Sequence, residues 1–336
     1  MRAAIVGIAG PRLAEAEAAL FRAQPPAGVI LFARNIETPG QLRLLVSALR
    51  DSLPAGAVLL VDQEGGRVAR LRPPHWRAHP PAGIIGGVFE ADARAGLRAA
   101  WITGALIGAD CASAGFDVAC APVLDLWRED AHEVVGDRAF GSEPLAVARL
   151  GRAFAAGLLA AGIQPVGKHA PGHGRAQVDS HLALPVVDAN DLAPDLLPFA
   201  LNADLPWAMT AHILYKGWDA ARPATLSPVV IGEVIRRRIG FEGVLVTDDL
   251  AMRALSGAPD ELARAALAAG CDVALYCAGD FEPTAALLRT CPMLTPLAAE
   301  RLAAAREAAA RRRRPLAADA LAAERDRLLR GEFRRA

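Results

Sequence analysis

The chain alternates between short apolar runs and longer stretches whose apolar positions recur with helical spacing. Eight of the short runs have the length and composition of buried strands: AAIVGI, GVILFA, AVLLVD, FDVACAPVLDL, IQPVGKH, WAMTAHI, GVLVTDD and DVALYC. Segments with helical periodicity separate them, such as PGQLRLLVSALRDSL and EPLAVARLGRAFAAGLLAAG. Apolar strands that alternate with helices predict a parallel sheet in an α/β fold, with helices covering it.

Eight strand–helix units favour a single-domain (β/α)8 TIM-type barrel. An open doubly wound sheet is the alternative, but no GxGxxG turn follows the first strand, which weakens a dinucleotide-binding interpretation. We therefore expect one barrel domain over residues 1–336, with a C-terminal helical extension from about residue 281.

Composition agrees with a globular protein, since 53% of the residues are apolar and 22% are charged. The 37 basic and 37 acidic residues cancel, so the charge gives no indication of a nucleic-acid or membrane partner. The run from Arg311 to Arg314 has acidic residues around it, which predicts a solvated helix face. A neutral or modestly charged small ligand fits this balance better.

The five cysteines are odd in number and form no CxxC pair, which argues against a disulfide framework and favours the cytoplasm. Charged residues soon follow the apolar start MRAAIVGIAG, so we expect no signal peptide. The apolar stretch AAWITGALIGA ends at Asp110, well short of the ~20 residues of a membrane span, and predicts a buried helix. The sequence does not indicate an oligomeric state, and we expect a monomer.

Polar side chains end five of the predicted strands. In order along the chain they are Asp62, Asp125, Lys168 with His169, His212, and Asp248 with Asp249. One charged residue at a strand end is usually a helix cap or a turn residue. In a barrel, however, the C-terminal ends of all strands converge on one mouth, where active sites form. Five strand ends of this kind therefore predict an active site.

The loop KHAPGHGRAQVDSH, residues 168 to 181, holds three histidines that could bind a metal or carry a proton. His169 and His173 have the spacing of a helical metal pair, but the intervening Pro171 and Gly172 break a helix. The loop is therefore a poor metal site.

A second feature of this loop is the pair Asp179 and His181, two residues apart. A carboxylate at this distance can accept a hydrogen bond from the imidazole, which raises its basicity and fixes its tautomer, as a general acid or base requires. Gly172 and Gly174 would let the segment bend or move. Asp248 and Asp249 are both candidates for a carboxylate role. Because side chains alternate along a strand, we expect only one of them to face the mouth.

Six longer motifs follow one another in a fixed order along the chain: VDQEGGRVARL, GDRAFG, KHAPGHGRAQVDSH, MTAHILY, PATLS and GVLVTDDLAM. With these motifs the chain resembles the bacterial glycoside hydrolase family 3 β-N-acetylglucosaminidases of peptidoglycan recycling. The resemblance implies a metal-free, cofactor-free cytoplasmic barrel enzyme. The implied reaction releases terminal β-linked N-acetylglucosamine from muropeptides that carry 1,6-anhydro-N-acetylmuramic acid.

Carried over position by position, the resemblance makes Asp248 the nucleophile and His181 the acid/base, oriented by Asp179. It also implies that a further set of residues binds the sugar: Asp62, Arg70, Arg138, Lys168 and His169. Ala170 departs from the aromatic residue that is usual in this motif, which affects the expected packing at the root of the loop.

Retaining glycosidases need a carboxylate nucleophile and a second group that protonates the leaving oxygen and later deprotonates water. A histidine, with an ordinary pKa of about 6.5, suits both halves of that cycle at neutral pH. A neutral base would also not repel phosphate, so a phosphorylase of the same family is an alternative. Less favoured are a metal-dependent hydrolase using His169, His173, His212 and Asp248, and a non-catalytic sugar-binding module.

Overall fold

The computed structural model describes residues 1–188 and 191–332 of the chain. Its strands are β1 (Arg2–Val6), β2 (Pro26–Leu31), β3 (Val58–Val61), β4 (Val118–Ala119), β5 (Gln164–Ala170), β6 (Val186–Val187), β7 (Trp207–Thr210), β8 (Leu214–Tyr215), β9 (Val244–Asp249) and β10 (Val273–Tyr276). Eight of them form a closed parallel barrel in the order β1-β2-β3-β4-β5-β7-β9-β10, while β6 pairs with β8. Each barrel strand overlaps one predicted apolar run, and the (β/α)8 TIM-type barrel is confirmed.

Helices follow the barrel strands in turn. They are α1 (Glu15–Ala23), α2 (Pro39–Ser52), α3 (Ala82–Ala91), α4 (Ala93–Ser113), α5 (Pro144–Ala160), α6 (Ala193–Ala200), a π-helix (Val230–Arg238), α7 (Pro259–Ala269) and α8 (Phe281–Thr290). Helices α2 and α5 begin with proline in the first turn, where the missing N–H costs nothing. Helix α4 contains the stretch AAWITGALIGA, and most of its residues are buried, as predicted.

The predicted strand FDVACAPVLDL is much shorter in the structure, where only Val118–Ala119 pairs continuously as β4. Pro122 has no N–H to donate to a neighbouring strand, which interrupts the ladder. The chain still follows β5, because the N–H of Leu124 donates to the carbonyl of Lys168 at 2.7 Å. This irregular stretch carries Asp125 to the end of β5.

The barrel interior is filled with side chains. Residues alternate along each strand, so that on β1 Ile5 belongs to the interior cluster, whereas Ala4 and Val6 pack in the layer between strands and helices. The largest interior side chain, Trp207, is fully buried, and its Nε1–H donates to Gln164 Oε1 at 2.9 Å. Because the interior is packed, the chemistry must lie at an end of the barrel.

The N-terminal end of the barrel is covered by α9 (Pro296–Arg312). Leu302 and Ala305 of this helix are buried in the interior cluster, and Arg306 Nη2 donates to the carbonyl of Gly56 just before β3. Helix α8 comes directly after β10 and completes the eighth strand–helix unit. The helices additional to the eight units therefore begin at Pro296, whereas the sequence predicted an extension from about residue 281.

The last helix, α10 (Ala318–Leu329), is attached to α4 and to the loop before α3. The guanidinium of Arg98 forms two 2.7 Å bonds with Glu324, and the buried Arg325 lies 3.1 Å from His79 Nδ1. Burial lowers the pKa of His79, so its neutral ring can accept from Arg325 and donate from Nε2 to Asp110, 3.0 Å away. The C-terminal helix thus supports the segment that precedes α3.

The helices, the arginine run and the cysteines agree with the sequence analysis. Within residues 1–188 and 191–332, no helix is long and apolar enough to cross a membrane. Arg311 to Arg314 are exposed and Arg311 pairs with Glu307, which confirms the prediction of a solvated face. All five cysteines are free and buried.

Candidate active site

The C-terminal ends of the strands open onto a cavity of about 170 Å³. Seven of the eight residues predicted from the sequence line it: Asp62, Arg70, Arg138, Lys168, His169, His181 and Asp248. The eighth, Asp179, contacts His181. The structure therefore brings all the predicted residues together, although they come from segments far apart in the chain.

Lys168, at the end of β5, is an ammonium group buried between two carboxylates. Its Nζ lies 2.7 Å from Asp62 Oδ1 and 2.6 Å from Glu64 Oε1, and only 2% of the residue is exposed. Burial alone would lower the pKa of Lys168, but the two carboxylates raise it above its ordinary value. The ammonium is therefore charged and fixed in position.

Glu64 also holds Arg138 through two hydrogen bonds, of 2.9 Å to Nε and 2.8 Å to Nη2. Burial would raise the pKa of the Glu64 carboxyl, but the charges of Arg138 and Lys168 keep it well below its usual range. Our sequence predictions missed Glu64. The available signal was its position in DQEGGR, two residues after Asp62 at the end of β3.

Arg70 is held by a carboxylate and by an aromatic ring. Its Nη2 donates to Asp62 Oδ2 at 2.8 Å, and its guanidinium carbon lies 5.4 Å from the centre of the Phe32 ring. Arg34 contacts the same ring at 5.1 Å and donates to the carbonyls of Ile8 and Cys277. Phe32, which the sequence did not single out, thus restricts the position of Arg70 through cation–π contact.

Asp125 organises the root of the loop that runs from His169 to His181. Its carboxylate lies 2.7 Å from His169 Nδ1 and accepts the backbone N–H groups of His169 and His173. Burial would raise the pKa of Asp125, but the contacts with His169 and His173 lower it overall. With Nδ1 held in this way, His169 turns Nε2 toward Arg138 Nη2, 3.5 Å away. Asp125 was recognised as a strand-end residue, but the sequence assigned it no role.

Asp179 and His181 are in direct contact. Asp179 Oδ1 lies 2.7 Å from His181 Nδ1 and also accepts the backbone N–H of His181 at 2.9 Å. Partial burial would raise the pKa of Asp179, but these two contacts lower it overall. Nδ1 is thus engaged, and the second ring nitrogen of His181 remains for chemistry. The side chain of His181 is 63% exposed and lines the cavity, so it is open both to a bound molecule and to solvent.

The loop between His169 and His181 is held at several points. His173 Nε2 lies 3.1 Å from Ser180 Oγ, and the carbonyl of Ser180 accepts the N–H of Ala254. A side chain at Gly174 would meet the carbonyl oxygen of Leu126 at 2.2 Å, so this glycine permits a close approach of two loops. Mobility of the loop stays a prediction.

Asp248 and Asp249 both line the cavity, contrary to the expectation that only one would face it. The difference between them lies in their contacts. Asp249 Oδ1 accepts the N–H groups of Ala251 and Cys277, whereas Asp248 accepts one, from Asp249. Burial raises the pKa of Asp249. Burial would also raise the pKa of Asp248, but the nearby His169 and His212, together with other contacts, lower that pKa to about 2.

Each histidine of the metal-dependent alternative contacts a protein atom, although Nδ1 of His173 has no hydrogen-bond partner among the described residues. His212 contacts Thr225 Oγ1 through Nδ1 and the carbonyl of Asp249 through Nε2, while His169 faces Asp125 on one side and Arg138 on the other. Among the residues that the structure describes, no three His, Cys, Asp or Glu side chains are grouped to hold a metal ion. This arrangement does not favour a metal centre built from these residues.

Ala170, the departure from the family motif, is the last residue of β5 and is 1% exposed. It belongs to a buried cluster that includes Phe199, Leu205 and Phe241. The cavity beside it has a volume of only about 10 Å³. Neighbouring side chains therefore fill the space that a larger residue would take, and the root of the loop remains packed.

The buried histidines predict a pH-dependent stability. Burial lowers the pKa of His173 to about 4, whereas an unfolded histidine has a pKa of about 6.5. Between these values the unfolded chain binds a proton that the folded chain does not. The free energy of unfolding should therefore fall as the pH falls through this window, by on the order of 3 kcal/mol from His173.

Urea unfolding of the wild type and of His173→Gln at about pH 7.5 and pH 4.5 measures this contribution. We expect the wild type to lose more stability than the variant between the two pH values. His75→Gln is the matched control, because His75 is exposed. Equal losses in the wild type and in His173→Gln would contradict the assignment.

An ionised carboxylate, an imidazole backed by a second carboxylate and several fixed donors at one barrel mouth can supply the nucleophile, the proton donor and the binding groups that cleavage of a glycosidic bond needs. Glycosidases are thus the class of protein that the fold and the site together define. The family model described as the glycosyl hydrolase family 3 N terminal domain matches residues 4–308. The chain belongs to this family, and the prediction of a glycoside hydrolase is confirmed.

Relatives of similar length support this membership. The chain is 41% identical over 305 residues to a protein of Alkalilimnicola ehrlichii named beta-hexosaminidase, covering 89% of this chain and 86% of the relative. Among solved structures, NagZ from Neisseria gonorrhoeae in complex with N-trifluoroacetyl-D-glucosamine has a TM-score of 0.86 and 31% identity, covering 98% of both chains. A further structure of that protein, in complex with zinc ion, has a TM-score of 0.84 and the same identity and coverage.

Proposed function

We propose that this chain is a retaining exo-β-N-acetylglucosaminidase with Asp248 as nucleophile and His181 as acid/base. The observation that carries the proposal is that Asp248, ionised at neutral pH, and His181, backed by Asp179, line the same cavity. The names of the relatives and the sugar derivative in the Neisseria structure support N-acetylglucosamine as the sugar.

In the first step, a carboxylate oxygen of Asp248 attacks C1 of the sugar, and the bond from C1 to the leaving oxygen breaks. The imidazolium of His181 gives its Nε2 proton to that oxygen, which departs as an alcohol. Asp179 stabilises the imidazolium before the transfer, as the third member of a hydrolytic triad does. The product of this step is a glycosyl ester on Asp248.

In the second step, the now neutral His181 accepts a proton from water, and the water oxygen attacks C1 from the side that the aglycone has left. The ester bond to Asp248 breaks and the carboxylate is restored. Two successive inversions at C1 retain the β configuration. The exposure of His181 allows the same group to serve both steps.

The remaining predicted residues hold the sugar in this proposal. Asp62, Arg70 and Lys168 form one charged network, and Arg138 and His169 lie beside it in the same cavity. Because Glu64, Asp125 and Phe32 already fix these side chains, little reorganisation accompanies the transition state. The hydroxyl groups of a sugar can donate and accept hydrogen bonds, so they match these charged side chains.

We further propose that the substrate is a muropeptide in which N-acetylglucosamine is linked to 1,6-anhydro-N-acetylmuramic acid, cleaved in the cytoplasm. The six family motifs support this substrate class. No cofactor or metal enters the proposed steps. A phosphorylase of the same family is the second candidate, because a neutral His181 would not repel phosphate in the second step.

The experiment that tests the proposal is release of the aryl group from an activated aryl N-acetyl-β-glucosaminide, with and without phosphate and chelator, with the products identified. We expect chelator-insensitive release of free N-acetylglucosamine. A sugar 1-phosphate would assign the phosphorylase, and loss of activity with chelator would favour the metal-dependent hydrolase. Binding without turnover would indicate a sugar-binding module.

A further inference from the structure

A second cleft, of about 330 Å³, lies next to the loop that carries His181. Its lining residues come from the loop after β4 and the segment after β5: Arg128, Asp130, Arg175, Gln177, Val186, Val187 and Asp188. Both segments follow the C-terminal ends of their strands, so the cleft is on the same face of the barrel as the active-site cavity. Gln177 precedes Asp179, and Val186 follows His181 closely along the chain.

The position of the cleft relates it to the leaving group. The acid/base residue must approach the leaving oxygen, so the aglycone lies on the side of the cavity where His181 stands. The residues on either side of His181 in sequence form one wall of the cleft. A group that extends from the aglycone along this loop would therefore reach it.

The cationic part of the cleft is a pair of arginines anchored on one buried carboxylate. Arg128 Nη2 contacts both oxygens of Asp195 at 3.2 and 3.3 Å, and Arg175 Nε donates to Asp195 at 2.8 Å. Asp195 is 4% exposed, while the arginine side chains are 28% and 26% exposed. Two positive charges share one negative charge. In the described part of the chain, Nη1 of neither arginine has a hydrogen-bond partner.

The other walls of the cleft have different chemistry. Asp130 provides a carboxylate, Gln177 an amide, and Val186 and Val187 an apolar strip. The carboxylate of Asp188 is already paired with Lys216 at 3.2 Å. Guanidinium groups bind carboxylates, a free carboxylate binds ammonium groups, and an amide matches peptide bonds.

We propose that this cleft binds a short peptide attached to the aglycone that carries both carboxylate and ammonium groups. The inference rests on the proposed function, because it assigns the peptide of the muropeptide a binding site of its own. Arg128 and Arg175 hold a carboxylate of the peptide, Asp130 holds an ammonium group, and the two valines contact its aliphatic part.

The test compares two natural-type substrates that share the same disaccharide, one with a peptide and one without, and an aryl N-acetyl-β-glucosaminide. Arg128→Gln should lower kcat/KM for the peptide-bearing substrate by about 10-fold or more, mainly through KM, because a charged hydrogen bond is lost. The peptide-free disaccharide and the aryl substrate should change by less than about 2-fold. Arg152→Gln is the matched control, because Arg152 pairs with Asp204 on the exposed surface.

A second measurement uses the wild type alone. Raising the NaCl concentration from about 50 to 500 mM should raise KM for the peptide-bearing substrate more than for the peptide-free one, because salt screens the ionic contacts. Equal effects of Arg128→Gln on all three substrates, or equal salt responses, would overturn the cleft assignment. A wild type that cleaves the aryl substrate but has equal kcat/KM for the two disaccharides would also overturn the cleft assignment. The proposed function would remain intact in that case. A wild type inactive on all three would overturn both.

Discussion

Replacing Asp248 by Asn should lower kcat for an aryl N-acetyl-β-glucosaminide by about 10⁴-fold or more, because removal of the covalent nucleophile of a hydrolase can cost on the order of 10⁶-fold. The amide oxygen carries no negative charge and cannot form the glycosyl ester. The loss should be similar for good and poor leaving groups, because no substrate can replace the missing nucleophile. Steady-state rates at saturating substrate measure it.

The matched variant is Asp249→Asn, one residue further along β9. Asp249 accepts the N–H groups of Ala251 and Cys277, so we place it in a structural role. Its replacement should reduce activity less than that of Asp248, and should lower the melting temperature more. Mass spectrometry of the wild type with a slow fluorinated substrate should find the sugar on the peptide that contains Asp248. Wild-type rates in Asp248→Asn, or a label on another carboxylate, would sink the nucleophile assignment.

Most of the fold could be predicted because its signals are local. Buried parallel strands are continuous apolar runs, and the helical periodicity between them is strong in segments such as α2 and α5. β4 was predicted too long, because composition alone does not show where Pro122 interrupts hydrogen bonding. The start of the additional C-terminal helices differs from the prediction for another reason, since α8 and α9 have similar composition and only tertiary contacts separate their roles.

The active-site cavity was partly predictable, because one topological rule gathers the C-terminal ends of all barrel strands. This rule brings Asp62, Lys168 and Asp248 together without any knowledge of their distances. Glu64 and Phe32 were missed, since each acts by holding another side chain. Such a role depends on contacts between distant segments, which neither periodicity nor composition records.

The second cleft could not be predicted at all. Arg128, Arg175 and Asp195 lie in three separate segments, and each alone is indistinguishable from an ordinary surface or capping residue. Their proposed binding role depends on the carboxylate that the two arginines share and on the position of the cleft beside His181. The proposed peptide site thus rests on the structure alone, whereas the sequence had already outlined the candidate catalytic site.

The largest contrast between substrates should come from His181→Ala. A general acid matters most when the leaving oxygen is strongly basic, so a disaccharide should lose about 10³-fold in kcat/KM. An activated aryl glycoside leaves without a proton and should lose much less in kcat/KM, although its kcat falls when release of the glycosyl ester becomes slow. Measuring kcat/KM across aryl substrates of increasing leaving-group pKa gives a steeper dependence for the variant than for the wild type.

Asp179→Asn separates proton transfer from simple structural damage. The amide can keep a hydrogen bond to the ring but cannot stabilise its positive charge, so the loss should again be greater for poor leaving groups. His173→Gln is the control within the same loop, because His173 contacts Ser180 and supports the loop without reaching the leaving group in the proposed mechanism. A loss that is equal for good and poor leaving groups in His181→Ala would mean that this histidine holds the loop in shape and does not act as the acid.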